Sequence, residues 1–334
     1  MKKILIIRLG AIGDVVHSTV IQQSIKQKYP EYEISFLTSE LISPLIEDDI
    51  NLKKVYTFSM KQKNNLPYLL KLGFELRKEK FDIVINLTNS LRNNFISLII
   101  NPKKLLRRNK NRVHAVDAFF NSAKEFFNDI EKPENIKLYL DKNSLKKINE
   151  MVEKYPKPYF IISPGGEHDN YRQGRIWPDK YWIELSNKLI SEFKGTIFIA
   201  GSKGEQKSHK KLSMQINNSV LMSGELTLEE SACLFSMADI FISGDSGPLH
   251  IASALGIKTL GIMGSTAAVA CGPYGKNGYS INSDIECIGC NLLKCPKLNK
   301  NEIYTPCMTS LYPKIVMSLV EHIYNLKKDI ICNK

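Results

Sequence analysis

The chain has 334 residues, 43% of them hydrophobic, which is too long for one small core, ample for two α/β domains and too apolar for a disordered chain. No apolar run approaches the length needed to cross a bilayer. The net charge of +12 is uneven: residues 1–156 hold 27 Lys+Arg against 18 Asp+Glu (+9), and residues 157–334 hold 19 against 16 (+3).

A basic half suggests an anionic partner: nucleic acid, a membrane surface or a phosphorylated substrate. Any single lysine is better read as solvated surface. No nucleic-acid module is visible, and basic residues are not interleaved with aromatics, so nucleic acid ranks last.

The opening MKKILIIRLGAIGD begins like a signal peptide, but Arg8 interrupts the apolar run and Asp14 follows. The pattern predicts a first strand over 2–9 and a protein that stays in the cytoplasm. A helix over 14–28, strands over 33–39 and 53–58, a helix over 68–80 and a strand over 81–87 come next. Such alternation predicts a parallel sheet covered by helices. The densest basic run is KKLLRRNKNR at 103–112, and 107–139 reads as mixed helix and loop. A helix over 141–155 leads into the linker PKP at 156–158. The alternation then restarts, with strand and glycine turn over 159–166, a helix over 177–193 and strand and turn over 195–202. A helix over 226–237, a strand over 238–243, a helix over 248–255, a strand over 258–264 and a last helix over 312–327 complete it. The expected class is α/β: two doubly wound domains, 1–156 and 157–310, facing each other across a cleft. The segment 311–334 is a C-terminal helix able to pack back on the first domain.

Four turns at strand ends carry polar side chains where open α/β sheets bind ligands. In RLGAIGDVVHS (8–18), Gly10 and Gly13 let a ligand approach the backbone at a helix start. The run is neither a dinucleotide fingerprint nor a P-loop, because G-x-G-x-x-G and G-K-[ST] are both missing. Asp14 either accepts a proton from a substrate hydroxyl or caps the helix. In SPGGEHDNYRQGRIWP (163–178), backbone amides with Arg172 or Arg175 could clamp a phosphate; a solvated loop is the equal alternative. In GSKGEQKS (201–208), Glu205 suits ribose hydroxyls or is simply an acid favoured by the helix dipole. In GDSGPLH (244–250), Asp245 could hold sugar hydroxyls and the Ser246 and Gly247 amides a diphosphate. The alternative there is an Asp–Ser cap on a buried helix, and His250 reads as packed.

Cys287, Cys290, Cys295 and Cys307 are spaced C-x2-C-x4-C-x11-C. Such ligands could hold a structural zinc, but the spacing is not diagnostic, and reduced thiols in a folded loop are the preferred reading. Cys233 reads as core, Cys271 borders the loop after the strand over 258–264, and Cys332 lies in the tail.

Taken in order, RLGAIGD, SPGG…RIWP, AGSKGE and GDSGPLHIASALG…GIMGST…CGPYG resemble the motifs of glycosyltransferase family 9, the bacterial heptosyltransferases. The resemblance covers nearly the whole chain. It implies a GT-B fold of two Rossmann-like domains, the first binding a lipopolysaccharide core acceptor and the second a nucleotide-sugar, usually ADP-heptose. It implies inverting transfer without a metal or cofactor. By matching motif, Asp14 would be the general base on the acceptor hydroxyl, Glu205 would meet the ribose, Asp245 the sugar, and Ser246 and Gly247 the phosphates. Arg175 fills the place of a basic residue at the donor diphosphate, and Gly166 and Glu167 follow the glycine turn beside it. Gly13, Arg92, Arg107 and Arg108 are the acceptor-side candidates. An anionic, lipid-anchored acceptor would bring the protein to the cytoplasmic face of the inner membrane. Two departures stand out. A motif like IDLQG reads INLTN here, with Asn86 and Thr88, which affects acceptor contacts; and the usual phosphate-contacting Lys is Arg175. The rival readings are a related transferase using another nucleotide-sugar, a silent sugar-nucleotide-binding relative, and a nicotinamide-dependent dehydrogenase, the last disfavoured by the missing glycine fingerprint.

Overall fold

The computed structural model describes residues 2–88, 90–108, 113–165, 173–299 and 302–326. The chain divides into two compact units, Met1–Asp141 and Lys142–Lys334.

In the first unit the order is β1 (Lys3–Ile7), α1 (Ile12–Ser18), α2 (Val20–Lys28), β2 (Glu33–Ser39), β3 (Lys54–Phe58), α3 (Leu66–Lys78), β4 (Ile83–Asn86), α4 (Leu91–Ile100), β5 (Lys104–Arg107) and α5 (Ala115–Lys124). The strands lie parallel in the order β3-β2-β1-β4-β5. β1 and β4 are buried along almost their whole length, as a parallel sheet covered on both faces requires. The helix expected over 14–28 begins at Ile12 and breaks at Thr19. Ser18 Oγ donates to Val15 O and Thr19 Oγ1 to Val16 O, both at 2.8 Å, and the Thr19 amide bonds back only three residues. Hydroxyls competing in this way tighten a helical turn. β5 was hidden from the sequence reading by its own charges, which suit an edge strand.

The second unit contains α6 (Lys142–Val152), β6 (Tyr159–Ser163), α7 (Asp179–Phe193), β7 (Thr196–Ile199), α8 (Gln206–Ser213), β8 (Ser219–Leu221), α9 (Leu228–Ser236), β9 (Ile240–Gly244), α10 (Gly247–Ala254), β10 (Thr259–Ile262), α11 (Ala268–Cys271), β11 (Gly278–Ile281), α12 (Pro306–Thr309) and α13 (Pro313–Asn325). Its sheet is also parallel, ordered β11-β10-β9-β6-β7-β8. Both sheets therefore follow the doubly wound pattern, with the strand order reversing between β1 and β4 in one unit and between β6 and β9 in the other.

Two expected boundaries move. α6 belongs to the second unit, so the division falls at 141/142, not at 156/157. Lys147 on α6 pairs with Glu230 of α9, whose start is fixed by a capping box between Thr227 and Glu230. α13 also spends its apolar face within the second unit. Val316, Met317, Val320 and Ile323 share a core with Trp177, Trp182 and Leu185, and the Trp177 indole donates to Leu311 O at 2.9 Å. Among the described residues no helix is long and apolar enough to cross a membrane.

The segment carrying Arg175 runs unusually close over the ends of β9 and β10. A Cβ at Gly264 would sit 2.2 Å from Gly174 O, and one at Gly244 would sit 2.6 Å from Arg175 O. Only glycine fits at either place. Gly264→Ala is expected to destabilise the second unit by about 1–3 kcal/mol through overpacking. Both tryptophans, Trp177 and Trp182, lie in this unit, so urea denaturation followed by tryptophan fluorescence reports it selectively. A wild-type midpoint in the variant would show that the close approach is dispensable.

Candidate active site

Each unit gathers its polar side chains where its strand order reverses. In the first unit, Arg8 leaves the end of β1 and reaches across the end of β4. Its Nη1 donates to Leu87 O and Thr88 Oγ1, both at 3.1 Å, and its Nη2 donates to Asp14 Oδ2. The Arg8 guanidinium lies 5.7 Å from the Phe119 ring centroid, and Arg108, from the end of β5, lies over the same ring at 4.8 Å. Burial pulls the Arg8 pKa down, the Asp14 carboxylate opposes this, and the like charge of Arg108 adds to the lowering. The Asp14 side chain, in the first turn of α1, is 29% exposed, so a substrate can still reach it. This corner holds two guanidinium groups and one carboxylate.

Asn86 organises the end of β4. Its Nδ2 donates to Asn94 Oδ1 (3.2 Å) and Ser97 Oγ (3.3 Å), and its Oδ1 accepts from the Thr88 amide (3.1 Å). A buried amide that must donate and accept at once explains why this position suits Asn in this chain; a carboxylate could only accept. Of the other acceptor-side candidates, Gly13 is buried within α1. Arg92 lies over the Phe58 ring at 5.5 Å, and Arg107 donates to Asn94 Oδ1 at 2.7 Å.

In the second unit, Asp245 follows β9 and is nearly buried. Its Oδ2 meets Arg175 Nη2 at 2.7 Å and its Oδ1 meets His250 Nε2 at 3.4 Å. Arg175 also donates from Nε to Thr266 Oγ1 at 3.0 Å. Ser243 Oγ donates to Ser163 O across the strand reversal (2.8 Å) and touches Ser246 Oγ (2.9 Å). Ser246 is the N-cap of α10, its Oγ accepting from the Leu249 amide, and Gly247 and Pro248 open the helix. His209 on α8 fixes the turn after β6, with Nε2–H donating to Gly165 O at 3.0 Å and Nδ1 2.6 Å from Ser223 Oγ. Glu205 is turned onto its own loop: one oxygen accepts from the Ser202 amide and hydroxyl, both at 2.7 Å. Gly166 and Glu167 lie outside the described residues.

A model of glycosyltransferase family 9 (heptosyltransferase) matches residues 69–300. The chain belongs to glycosyltransferase family 9. Among curated relatives, it is 23% identical to lipopolysaccharide heptosyltransferase 1 of Campylobacter coli, over 96% of this chain and 99% of that one. Among solved structures, a family 9 glycosyltransferase from Veillonella parvula superposes with a TM-score of 0.85 at 16% identity, covering 97% of each chain. An E. coli ADP-heptose LPS heptosyltransferase II gives 0.79 at 17% identity, covering 98% of this chain and 100% of that one. The protein is thus a glycosyltransferase with the GT-B fold.

Within the glycosyltransferase, the structure brings Arg175, Asp245 and Ser246 together at one strand reversal and Asp14, Arg108 and Gly13 around another. Sequence reasoning missed Arg8, Thr266 and the contact of His250 with Asp245. The signal for Arg8 was present: it is the charge that ends the apolar run of β1, immediately before the glycine turn.

The cysteine segment is strapped to the end of β10 by the Gly289 amide on Gly264 O (2.9 Å) and the Asn291 amide on Ser265 O (2.6 Å). Cys307 is buried, 3.1 Å from Thr305 Oγ1, and burial pushes its thiol pKa up. Among the described residues, Cys287, Cys290, Cys295 and Cys307 included, no group of three or more His, Cys, Asp or Glu side chains is placed to hold a metal ion. Cys233 is buried in the core, and Cys332 lies outside the described residues.

Burial pushes the Asp245 carboxyl up, but the His250 hydrogen bond and the Arg175 charge outweigh it, and its pKa is held below the ordinary value. A depressed carboxylate stabilises the fold above its unfolded pKa, about 4, and that stability is lost as pH falls through the lower folded value. Asp245→Asn is expected to cost about 1–3 kcal/mol at neutral pH by leaving Arg175 without its charged partner. It should also flatten the acid loss of stability, measured by tryptophan fluorescence. An acid slope equal to wild type would show that the pair does not contribute.

Proposed function

We propose that this glycosyltransferase moves a heptose from ADP-heptose to a lipopolysaccharide core acceptor, inverting the anomeric centre without a metal. The observation that carries the reading is the Arg175–Asp245–Ser246 cluster at the α10 start of the second unit. The names of the matched relatives support the choice of sugar, nucleotide and acceptor.

In this reading the acceptor hydroxyl oxygen attacks the anomeric carbon from the face opposite the diphosphate. The new C–O bond forms as the bond to the diphosphate breaks, and the ADP oxygen leaves with the bonding pair. The hydroxyl proton passes to the Asp14 carboxylate. Negative charge grows on the departing diphosphate, where Arg175, the Gly247 end of α10 and its dipole would stabilise it. Asp245 holds Arg175 and faces the sugar, and Glu205 serves the ribose once it leaves Ser202. Gly166 and Glu167 complete the donor site. Gly13, Arg92, Arg107 and Arg108 contact an anionic, lipid-anchored acceptor, which places the enzyme in the cytoplasm against the inner membrane. The cysteine cluster takes no part and no cofactor is needed. The second reading, another nucleotide-sugar with the same mechanism, shares every one of these residues.

Calorimetric titration with ADP, UDP, GDP and NADH tests the donor. Selective ADP binding that weakens in Asp245→Ala is the expected result; preference for UDP or GDP would replace the sugar donor, and no nucleotide binding would remove the proposal. Asp14→Asn should leave ADP affinity unchanged and lower kcat by about 10²–10⁴-fold, the usual share of a general base. Turnover at the wild-type rate would take Asp14 out of the chemistry.

A further inference from the structure

α4 is apolar on two faces. Its sequence is LRNNFISLII, and a helix on a sheet should turn its apolar stripe inward. Ile96 and Ile100 do so, joining the core of the first unit beside buried Asn93 and Ser97, but Leu91 is 90% exposed and Leu98 is 68% exposed. Leu91 and Leu98 are spaced i, i+7, so they share one outward face, and half-buried Phe95 between them packs against the core. α3 extends the outward face. Gly73 packs directly under Ile99, where a Cβ would come within 2.7 Å of Cγ2, so the neighbouring Phe74 and Leu98, both exposed, flank the closest approach of the two helices. Exposed large apolar side chains gathered on neighbouring helices suit an interaction site.

The surroundings identify the partner. α4 has no acidic residue. The described part of the basic run follows it: Lys103, paired with Asp82 yet with its side chain 84% exposed, and Arg107, also exposed. On α3, Lys71, Arg77 and Lys78 are exposed, against Glu75. A second copy of the chain would bring cations against cations. An anionic bilayer offers apolar depth for the leucines and phosphates for the cations.

We propose that the outward face of α4, Leu91 and Leu98, together with Phe74 of α3 and the basic flank, docks this protein on an anionic lipid surface. Ser90 caps α4 only three residues after Leu87, whose carbonyl holds Arg8. Docking would therefore bring the Asp14 corner to the surface from which a lipid-anchored acceptor projects; that last step alone rests on the proposed function.

The test is co-sedimentation of the full chain with phosphatidylglycerol–phosphatidylethanolamine vesicles and with phosphatidylcholine vesicles. Expected are binding to the first only, a fall on raising salt from about 0.1 M to about 0.5 M, and a loss of at least about tenfold in a Leu91→Ser/Leu98→Ser variant. Both leucines are on the surface, so the variant should keep the wild-type thermal midpoint and ADP affinity. Equal binding by variant and wild type, or no vesicle binding by wild type, overturns the proposal. So does a wild-type dimer in sedimentation velocity that the variant dissolves, which would assign the face to a second copy. ADP titration on the same samples separates the two readings: vesicle binding without ADP binding removes the proposed donor and leaves this surface standing.

Discussion

A parallel sheet whose strand order reverses must send its covering helices away on opposite faces, and a crevice opens between the two departing loops. The rest of this molecule depends on that constraint, applied twice. At the β1/β4 reversal the crevice holds Arg8, Asp14 and the end of β4. At β6/β9 it holds the Arg175–Asp245–His250 cluster, and the Ser243 hydroxyl ties the two strands across it. Neither cluster comes from one contiguous motif. Arg175 and Asp245 are far apart in sequence, and what unites them is a backbone that passes over two glycines.

The two clusters differ in electrostatic character. The second unit's cluster is close to self-compensating: one arginine and one carboxylate, with a histidine adjacent. The first unit's corner carries an excess of cation, since Arg8 is matched by Asp14 while Arg108, over the ring of Phe119, forms no ion pair among the described residues. The chain-wide imbalance of charge thus has a local counterpart beside the half-buried Asp14 carboxylate.

The sheets were legible because apolar runs such as ILII and FISG need no tertiary context to be read. So were the glycine turns and the helix opened by Ser246. β5 was not, because the charges flanking two leucines in KKLLRR hid a four-residue strand. Residues 142–152 read correctly as a helix, yet nothing local says which unit will bury Ile148 and Val152. Asp14, Arg175 and Asp245 could be named from their turns. Their partners could not: Arg8 was read as an interruption of a run, and spacing does not encode the attachment of Glu205 to Ser202. The exposure of Leu91 and Leu98 was also invisible, because it depends on which face of α4 the sheet covers.

The placement of the last helices bears on the order in which the protein can form. The first unit has its final strand by Arg107 and its last buried apolar side chain by Ile136, so its core is complete before any strand of the second unit is made. The second unit is different. Met308 packs beneath Gly264, Leu311 receives the Trp177 indole, and carbonyls at the end of α13 receive the Lys258 ammonium group. Its sheet therefore lacks part of its support until α12 and α13 have been made, well after the half bearing Asp14 has all of its strands.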